Sequence, residues 1–84
     1  MDLAASFGAA VRRQRELLRL SQEDLADRSG LDRTYISGVE RGVRNPTLQV
    51  MQKLADALGS DLDVLFATAR QCATAMERPD ALRP

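Results

Sequence analysis

The stretch SQEDLADRSGLDRTYISGVERG, residues 21–42, decides the fold of this chain. Ser21, with Asp24 three positions later, has the pattern of a capping box, which predicts the start of a short helix. Gly30 predicts the end of that helix, because glycine adopts a left-handed backbone at little cost. Asp32 is a typical N-cap, so another short helix is predicted to begin two residues after the glycine. The apolar positions shared by this pair of helices are 25, 31, 36 and 39.

Apolar side chains recur at helical spacing on both sides of this stretch, and no segment shows the alternation typical of strands. At about 100° per residue, one apolar arc predicts a first helix that ends before Ser21. Gly42 is predicted to end the third helix, and Thr47 and Asp61 to cap a fourth and a fifth. The predicted inward faces comprise Leu3, Phe7, Ala10, Val11, Gln14, Leu17 and Leu18 in the first helix, Leu48, Met51, Leu54, Ala55 and Leu58 in the fourth, and Leu62, Leu65, Phe66, Ala69, Cys72, Ala73 and Met76 in the fifth.

These elements make up one small domain. The sequence predicts an all-α fold, a single compact five-helix domain at residues 1–77, and a flexible C-terminal tail at residues 78–84. Pro79 and Pro84 bound the tail, and proline does not continue a helix. The chain has no internal repeat and no linker that would separate a second domain.

The composition excludes several classes of site. The chain has no histidine, which excludes Ser-His-Asp and Cys-His nucleophile systems and zinc sites of the Cys-His kind. We therefore expect no enzymatic activity, no metal and no cofactor. The single cysteine, Cys72, leaves no intrachain disulfide and favours a reducing cytosol. No apolar run approaches the roughly 18 residues that span a bilayer, so a cytoplasmic protein without a membrane partner is expected.

Two short helices joined through a glycine turn form the helix-turn-helix pattern, in which the first helix holds the second against the body of the protein. The second of the pair then keeps one face in solvent and fits the major groove of B-DNA, about 12 Å wide. Here that face is predicted to carry Arg33, Thr34, Ser37, Gly38 and Arg41.

Charge balance opposes this interpretation at first sight, because twelve basic and twelve acidic side chains cancel and general polyanion binders have a basic excess. The charges are unevenly placed, however. Residues 12–44 hold eight basic and six acidic side chains. Neutrality therefore predicts weak non-specific DNA affinity, with more reliance on shape, base contacts and dimerisation.

From about Phe7 to Phe66 the chain resembles the lambda-repressor-like, XRE-type helix-turn-helix family. Residues 32–41 with Arg44 and Asn45 are especially similar to controller proteins of restriction–modification systems, which are small dimeric regulators. The matching elements are Arg15, Ser21-Gln22-Glu23, Leu25-Ala26, Gly30-Leu31, Ile36-Ser37, Glu40, Gly42, Pro46-Thr47-Leu48 and Leu62 through Phe66. The resemblance implies a sequence-specific, double-stranded DNA-binding transcriptional regulator that acts as a homodimer on a pseudo-palindromic operator. It also implies that Gln22 binds a phosphate, and that Arg15 and Glu40 form a partly buried structural ion pair.

Individual DNA contacts are predicted from these positions. Arg33, Thr34 and Ser37 are expected to contact base edges, with Arg33 placed for two hydrogen bonds to guanine. Solvated surface roles are the alternative for each of them. Contacts to the DNA backbone or minor groove are expected for Ser21, Gln22, Tyr35, Gly38, Arg41, Arg44 and Asn45. The alternatives are capping alone for Ser21, a packed ring for Tyr35 and a solvated charge run for Arg41, Arg44 and Asn45. A glycine at position 38, in the middle of a helix, lowers helix stability. Close approach of the DNA to the helix backbone would explain this glycine. The alternative is neutral drift, in which case the glycine has no function.

The fifth helix has more apolar surface than a small domain needs. We therefore predict a dimer interface at Leu62, Leu65, Phe66 and Ala69. Two-fold symmetry then predicts half-sites about 34 Å apart. The alternative is that residues beyond about 70 are disordered and the interface uses only the first three of these residues.

Three modes of action fit the sequence. With no second domain recognised, regulation is expected through occupancy of the operator and contact with RNA polymerase. An antitoxin that represses its own operon is an alternative of the same class. A helix-turn-helix protein-interaction adaptor without DNA specificity is the alternative of a different class, and salt-dependent DNA binding would separate it from the regulators.

Overall fold

Side-chain caps determine where four of the five helices begin. The computed structural model describes residues 2–77, and within them the helices are α1 (Leu3–Leu17), α2 (Gln22–Ser29), α3 (Arg33–Glu40), α4 (Leu48–Ala57) and α5 (Leu62–Glu77). Asp2, Ser21, Asp32 and Thr47 each accept a hydrogen bond from a backbone N–H of the following first turn. The predicted capping box is confirmed, since Ser21 N–H donates to Asp24 Oδ2 and Asp24 N–H donates to Ser21 Oγ, both at 2.9 Å.

The end of α3 is fixed by a Schellman motif. Gly42 adopts a φ of 78°, its N–H donates to Val39 O at 3.0 Å, and Val43 N–H donates to Gly38 O at 3.0 Å. These two bonds satisfy carbonyl groups that the helix end leaves free. The loop that follows α3 is thereby turned back onto the helix.

The all-α fold predicted from the periodicity is confirmed, since the described residues form five helices and no strand. α1 packs mainly against α5 and secondly against α3, while α2 packs against α3 and α4. The core centres on Leu25, Ile36, Leu54 and Leu65, none of which is exposed. The predicted tail at residues 78–84 lies outside the described residues.

Three predicted core positions of α1 and one of α4 are exposed instead. Leu3 is 61% exposed, Leu17 70%, Leu18 46% and Leu48 68%. All four occupy the first or last positions of their helices or the adjoining cap. Helical spacing gives the direction of a side chain, but it does not say how far the neighbouring helix extends. The predicted stripes were therefore too long at their ends.

No helix among residues 2–77 combines the length and the apolar character needed to cross a membrane.

Candidate nucleic-acid interface

One face of α3 is anchored and the opposite face is in solvent. Ile36 and Val39 are buried, at 0% and 1% exposure, where α1 and α2 pack against α3. Arg33, Thr34 and Arg41 are exposed on the other side, and Ser37 is half-buried between them. A short helix held in this way presents polar side chains with little freedom to tilt, as a helix that enters a DNA groove requires.

Tyr35 lies at the edge of this face. Its side chain is half-buried and packs against the core cluster, so the packed-ring alternative describes part of its role. The phosphate contact through its hydroxyl stays a prediction.

Gly38 does not lie on the exposed face, which corrects the sequence prediction. It is buried, and a Cβ at this position would lie 2.7 Å from Arg44 Cγ. The helical register of α3 alone puts Gly38 beside Thr34 and Arg41. The loop after α3, however, folds back and covers it with the side chain of Arg44. In this arrangement of the loop the Arg44 stem lies against Gly38, and a direct DNA contact by Gly38 stays a prediction.

The loop after α3 adds further polar groups beside the exposed face. Arg41, Arg44 and Asn45 are all exposed. Arg41 Nε donates to Ser37 O at 3.3 Å, which holds the arginine stem along the helix. The cationic and amide side chains predicted at the end of α3 are thus all accessible to solvent.

Behind α3, Arg15 and Glu40 are in direct contact, as the family resemblance implies. Arg15 Nε lies 2.7 Å from Glu40 Oε2 and Arg15 Nη2 lies 3.0 Å from Glu40 Oε1. The two side chains are only 11% and 3% exposed, respectively. Arg15 Nη1 also donates to Leu20 O at 2.8 Å. The hydrogen bonds to Glu40 raise the pKa of Arg15, although burial opposes this. The pair joins α1 to α3 and fixes the position of α3.

Gln22, at the first position of α2, has a contact that the sequence did not predict. Its Nε2 donates to Glu40 Oε1 at 3.1 Å. The amide keeps a second N–H donor and its carbonyl oxygen, so a phosphate contact remains open to it. Gln22 is thereby attached to the same ion pair that positions α3. No local sequence signal indicates this bond, because it joins residues 18 positions apart.

Ser21 also lies at this end of α2. Its Oγ is occupied as an acceptor by the helix cap, but the side chain is exposed and its hydroxyl hydrogen can still be donated. The free N–H groups and the dipole of a helix N-terminus favour a bound anion. The start of α2 therefore offers polar groups that suit a phosphate.

Only some of the residues predicted to form the dimer interface are exposed to solvent. Leu65 and Ala69 are 0% and 3% exposed, since α1 packs along α5. Both residues are thus buried within the single protomer, and their role in a dimer interface stays a prediction. Leu62 is half-buried against the core, and Phe66 is 37% exposed.

Phe66 borders an apolar groove of about 300 Å³, which sequence reasoning missed. Its ring contacts that of Phe7, with centroids 5.9 Å apart. The groove is lined by Leu3, Ala4, Phe7, Asn45, Pro46, Leu48, Met51 and Phe66. Leu3 and Leu48, which are exposed at the ends of their helices, thus both line this apolar groove.

Known proteins share this arrangement. The family model described as Helix-turn-helix matches residues 11–65. The control protein C.SmaI of Serratia marcescens is 46% identical over 66 residues, which are 79% of this chain and 79% of that protein. The restriction-modification controller protein C.AhdI from Aeromonas hydrophila superposes with a TM-score of 0.72 at 48% identity, covering 74% of this chain and 94% of that one.

Two further comparisons differ in how much of the other protein this chain covers. The controller protein C.Esp1396I, in a tetramer bound to its natural 35-base-pair operator, has a TM-score of 0.78 at 34% identity, covering 83% of this chain and 92% of that one. Two uncharacterized HTH-type transcriptional regulators of Mycobacterium tuberculosis are 42% identical over 74% of this chain, and the chain spans 44% of their length. With a family match over most of its length and control proteins similar along most of both chains, this chain belongs to the helix-turn-helix family of transcriptional regulators that includes the restriction–modification controller proteins.

Proposed function

We propose that this protein is a sequence-specific double-stranded DNA-binding transcriptional regulator, and that it is the controller protein of a restriction–modification system. The observation that carries this is the exposed polar face of α3, on a helix whose opposite face is buried. The relatives support the finer assignment, since C.SmaI is named a control protein and C.Esp1396I occurs in complex with its operator.

In this proposal α3 enters the major groove with its N-terminal end nearest the bases. Arg33 is the first residue of α3 and is exposed. Its guanidinium donates two hydrogen bonds to guanine O6 and N7, which discriminates against other bases by about 1–3 kcal/mol. Thr34 and Ser37 contact neighbouring base edges on the same face. Arg41 flanks them and binds the DNA backbone.

The N-terminus of α2 binds a phosphate in the same complex. Gln22 donates its remaining amide N–H, and Ser21 adds its hydroxyl. Besides the two acids in the first turn of α2 itself, Glu40 lies next to this site by its bond to Gln22. Its charge is compensated by the paired guanidinium of Arg15, so it does not repel the phosphate strongly. Asn45 and Arg44 contact the backbone or the minor groove, where arginine responds to groove width.

The regulator acts as a homodimer on a pseudo-palindromic operator. With Leu65 and Ala69 buried, the surface that supports dimerisation comprises exposed Leu48 and Phe66 of the apolar groove, together with half-buried Leu62. Isologous pairing of this surface gives the complex a two-fold axis and spaces the half-sites about 34 Å apart. Regulation then proceeds in the cytoplasm through operator occupancy and contact with RNA polymerase, without a cofactor.

Selection of bound duplexes from a random pool, followed by fluorescence anisotropy across a salt series, tests this function. We expect a pseudo-palindromic motif and an affinity that falls with salt, because phosphate contacts release counterions. Gln22→Ala should weaken all duplexes about equally, whereas Gln71→Ala, which removes an exposed amide of α5, serves as the matched control. Salt-insensitive binding, or no preference among duplexes, would support the protein-interaction adaptor instead.

A further inference from the structure

We infer that Gly38 is a positioning residue for Arg44: the missing side chain leaves a gap on α3 in which the stem of Arg44 lies beside the DNA-contacting face. This inference rests on the proposed function. It gives the mid-helix glycine a role that is indirect, because the contact with DNA is made by the arginine and not by the glycine backbone.

The geometry is specific to a residue without a Cβ. A Cβ on Gly38 would lie 2.7 Å from Arg44 Cγ and 3.6 Å from Arg44 Nε. The first distance is too short for two carbon atoms, so a larger residue here displaces its neighbour. The side chain of Val43 would stand at an ordinary contact distance of 3.6 Å. The collision is therefore with the stem of Arg44.

The loop backbone cannot easily move away to relieve this collision. Val43 is bonded to Gly38 through its N–H at 3.0 Å. On the other side, Gly42 packs so closely on α1 that a Cβ there would lie 2.8 Å from Ala5 Cα. The loop is thus held between α1 and α3, and a side chain at position 38 must redirect the side chain of Arg44.

The position of Arg44 matters because of what lies around Gly38. In the register of α3, Gly38 is next to Thr34 and Arg41 on the helix surface, and both are exposed. An arginine stem that crosses Gly38 therefore brings its guanidinium to the edge of the DNA-contacting face. Ordering this stem before binding reduces the conformational entropy that complex formation would otherwise lose.

The inference predicts a larger effect of Gly38→Ala on binding than on stability. Tm should change little, because the better helix propensity of alanine is offset by the displacement of the Arg44 stem. Affinity for the selected operator should fall about tenfold, as expected for the loss of a charge-assisted contact. The slope of log K against log salt should decrease by about one per protomer.

A double-mutant cycle with Arg44→Ala supplies the matched control. Arg44→Ala alone should lose about as much affinity as Gly38→Ala. In the Arg44→Ala background, Gly38→Ala should cause no further loss, because the colliding Cγ is gone. In the free protein, the Nε–H resonance assigned to Arg44 should shift in Gly38→Ala.

Two results overturn the inference while leaving the proposed function intact. One is operator binding by Gly38→Ala with unaltered affinity and salt slope. The other is the same fold-loss from Gly38→Ala in both backgrounds, which would indicate direct approach of DNA to the glycine. If the unaltered protein binds no duplex, the proposed function itself fails, and the DNA role of Arg44 fails with it.

Discussion

Replacing Glu40 with alanine removes the acceptor at the centre of a buried polar cluster. Glu40 accepts from Arg15 Nε at 2.7 Å, from Arg15 Nη2 at 3.0 Å and from Gln22 Nε2 at 3.1 Å. Its side chain is 3% exposed and that of Arg15 is 11% exposed. Water therefore has little access to the guanidinium that loses its partner.

Glu40→Ala is expected to lower the stability of the fold because Arg15 keeps its charge and loses its partner. Removing one partner of a buried ion pair costs about 3–5 kcal/mol, because the remaining charge is neither paired nor well solvated. A domain of this size has a total stability of roughly 4–12 kcal/mol, so Glu40→Ala leaves a marginally stable protein. The matched control is Glu16→Ala. It breaks the Arg12–Glu16 pair, whose side chains are 63% and 55% exposed, and should cost less than about 0.5 kcal/mol.

Urea unfolding at a fixed protomer concentration measures both losses through the transition midpoint. Glu40→Gln should lower the stability less than Glu40→Ala does, because one carbonyl oxygen stays available as an acceptor. Replacing both Arg15 and Glu40 with methionine should recover part of the lost stability, since no buried charge is then left without a partner. A Glu40→Ala loss within about 1 kcal/mol of the Glu16→Ala loss would refute the structural role given to this pair.

Three further predictions concern stability. A Cβ at position 8 would overlap Val39 O, so Gly8→Ala should separate α1 from α3 and cost about 3 kcal/mol; an unchanged urea midpoint would contradict this. Arg19 adopts a φ of 58° at the end of α1, and Arg19→Gly should raise stability by about 0.5–1 kcal/mol, measured as a higher Tm. The N–H and hydroxyl of Ser21 lower the pKa of Asp24. Because the folded-state pKa is the lower one, the carboxylate stabilises α2 above its unfolded-state pKa, and this is lost as pH falls through the folded value. The Tm difference between the unaltered protein and Asp24→Asn should accordingly shrink in strong acid, and a difference that persists there would be inconsistent with this origin.

The parts of this structure that local chemistry controls follow from the sequence. Ser21 and Asp24 cap each other within a single turn, and Asp32 and Thr47 begin their helices in the same local way. Gly30 has the φ of 73° that ends α2. Capping needs only neighbouring residues, so their order along the chain is sufficient to predict it.

Features that depend on distant neighbours could not be predicted in this way. Ala69 has the spacing of an interface residue, but α1 covers it. Gly38 has the register of an exposed residue, yet a folded-back loop buries it under Arg44. The bond between Gln22 and Glu40 joins two helices whose relative position the sequence pattern does not specify.

We propose that α3 recognises base pairs through its exposed N-terminal face. The most direct measurement is selection from a random duplex pool with the unaltered protein and with Arg33→Ala in parallel. We predict a two-fold symmetric motif for the unaltered protein, and loss of preference at one base pair of each half-site for Arg33→Ala. An identical motif for both proteins would contradict the role of Arg33, and the absence of any enriched motif would contradict sequence-specific recognition by this helix.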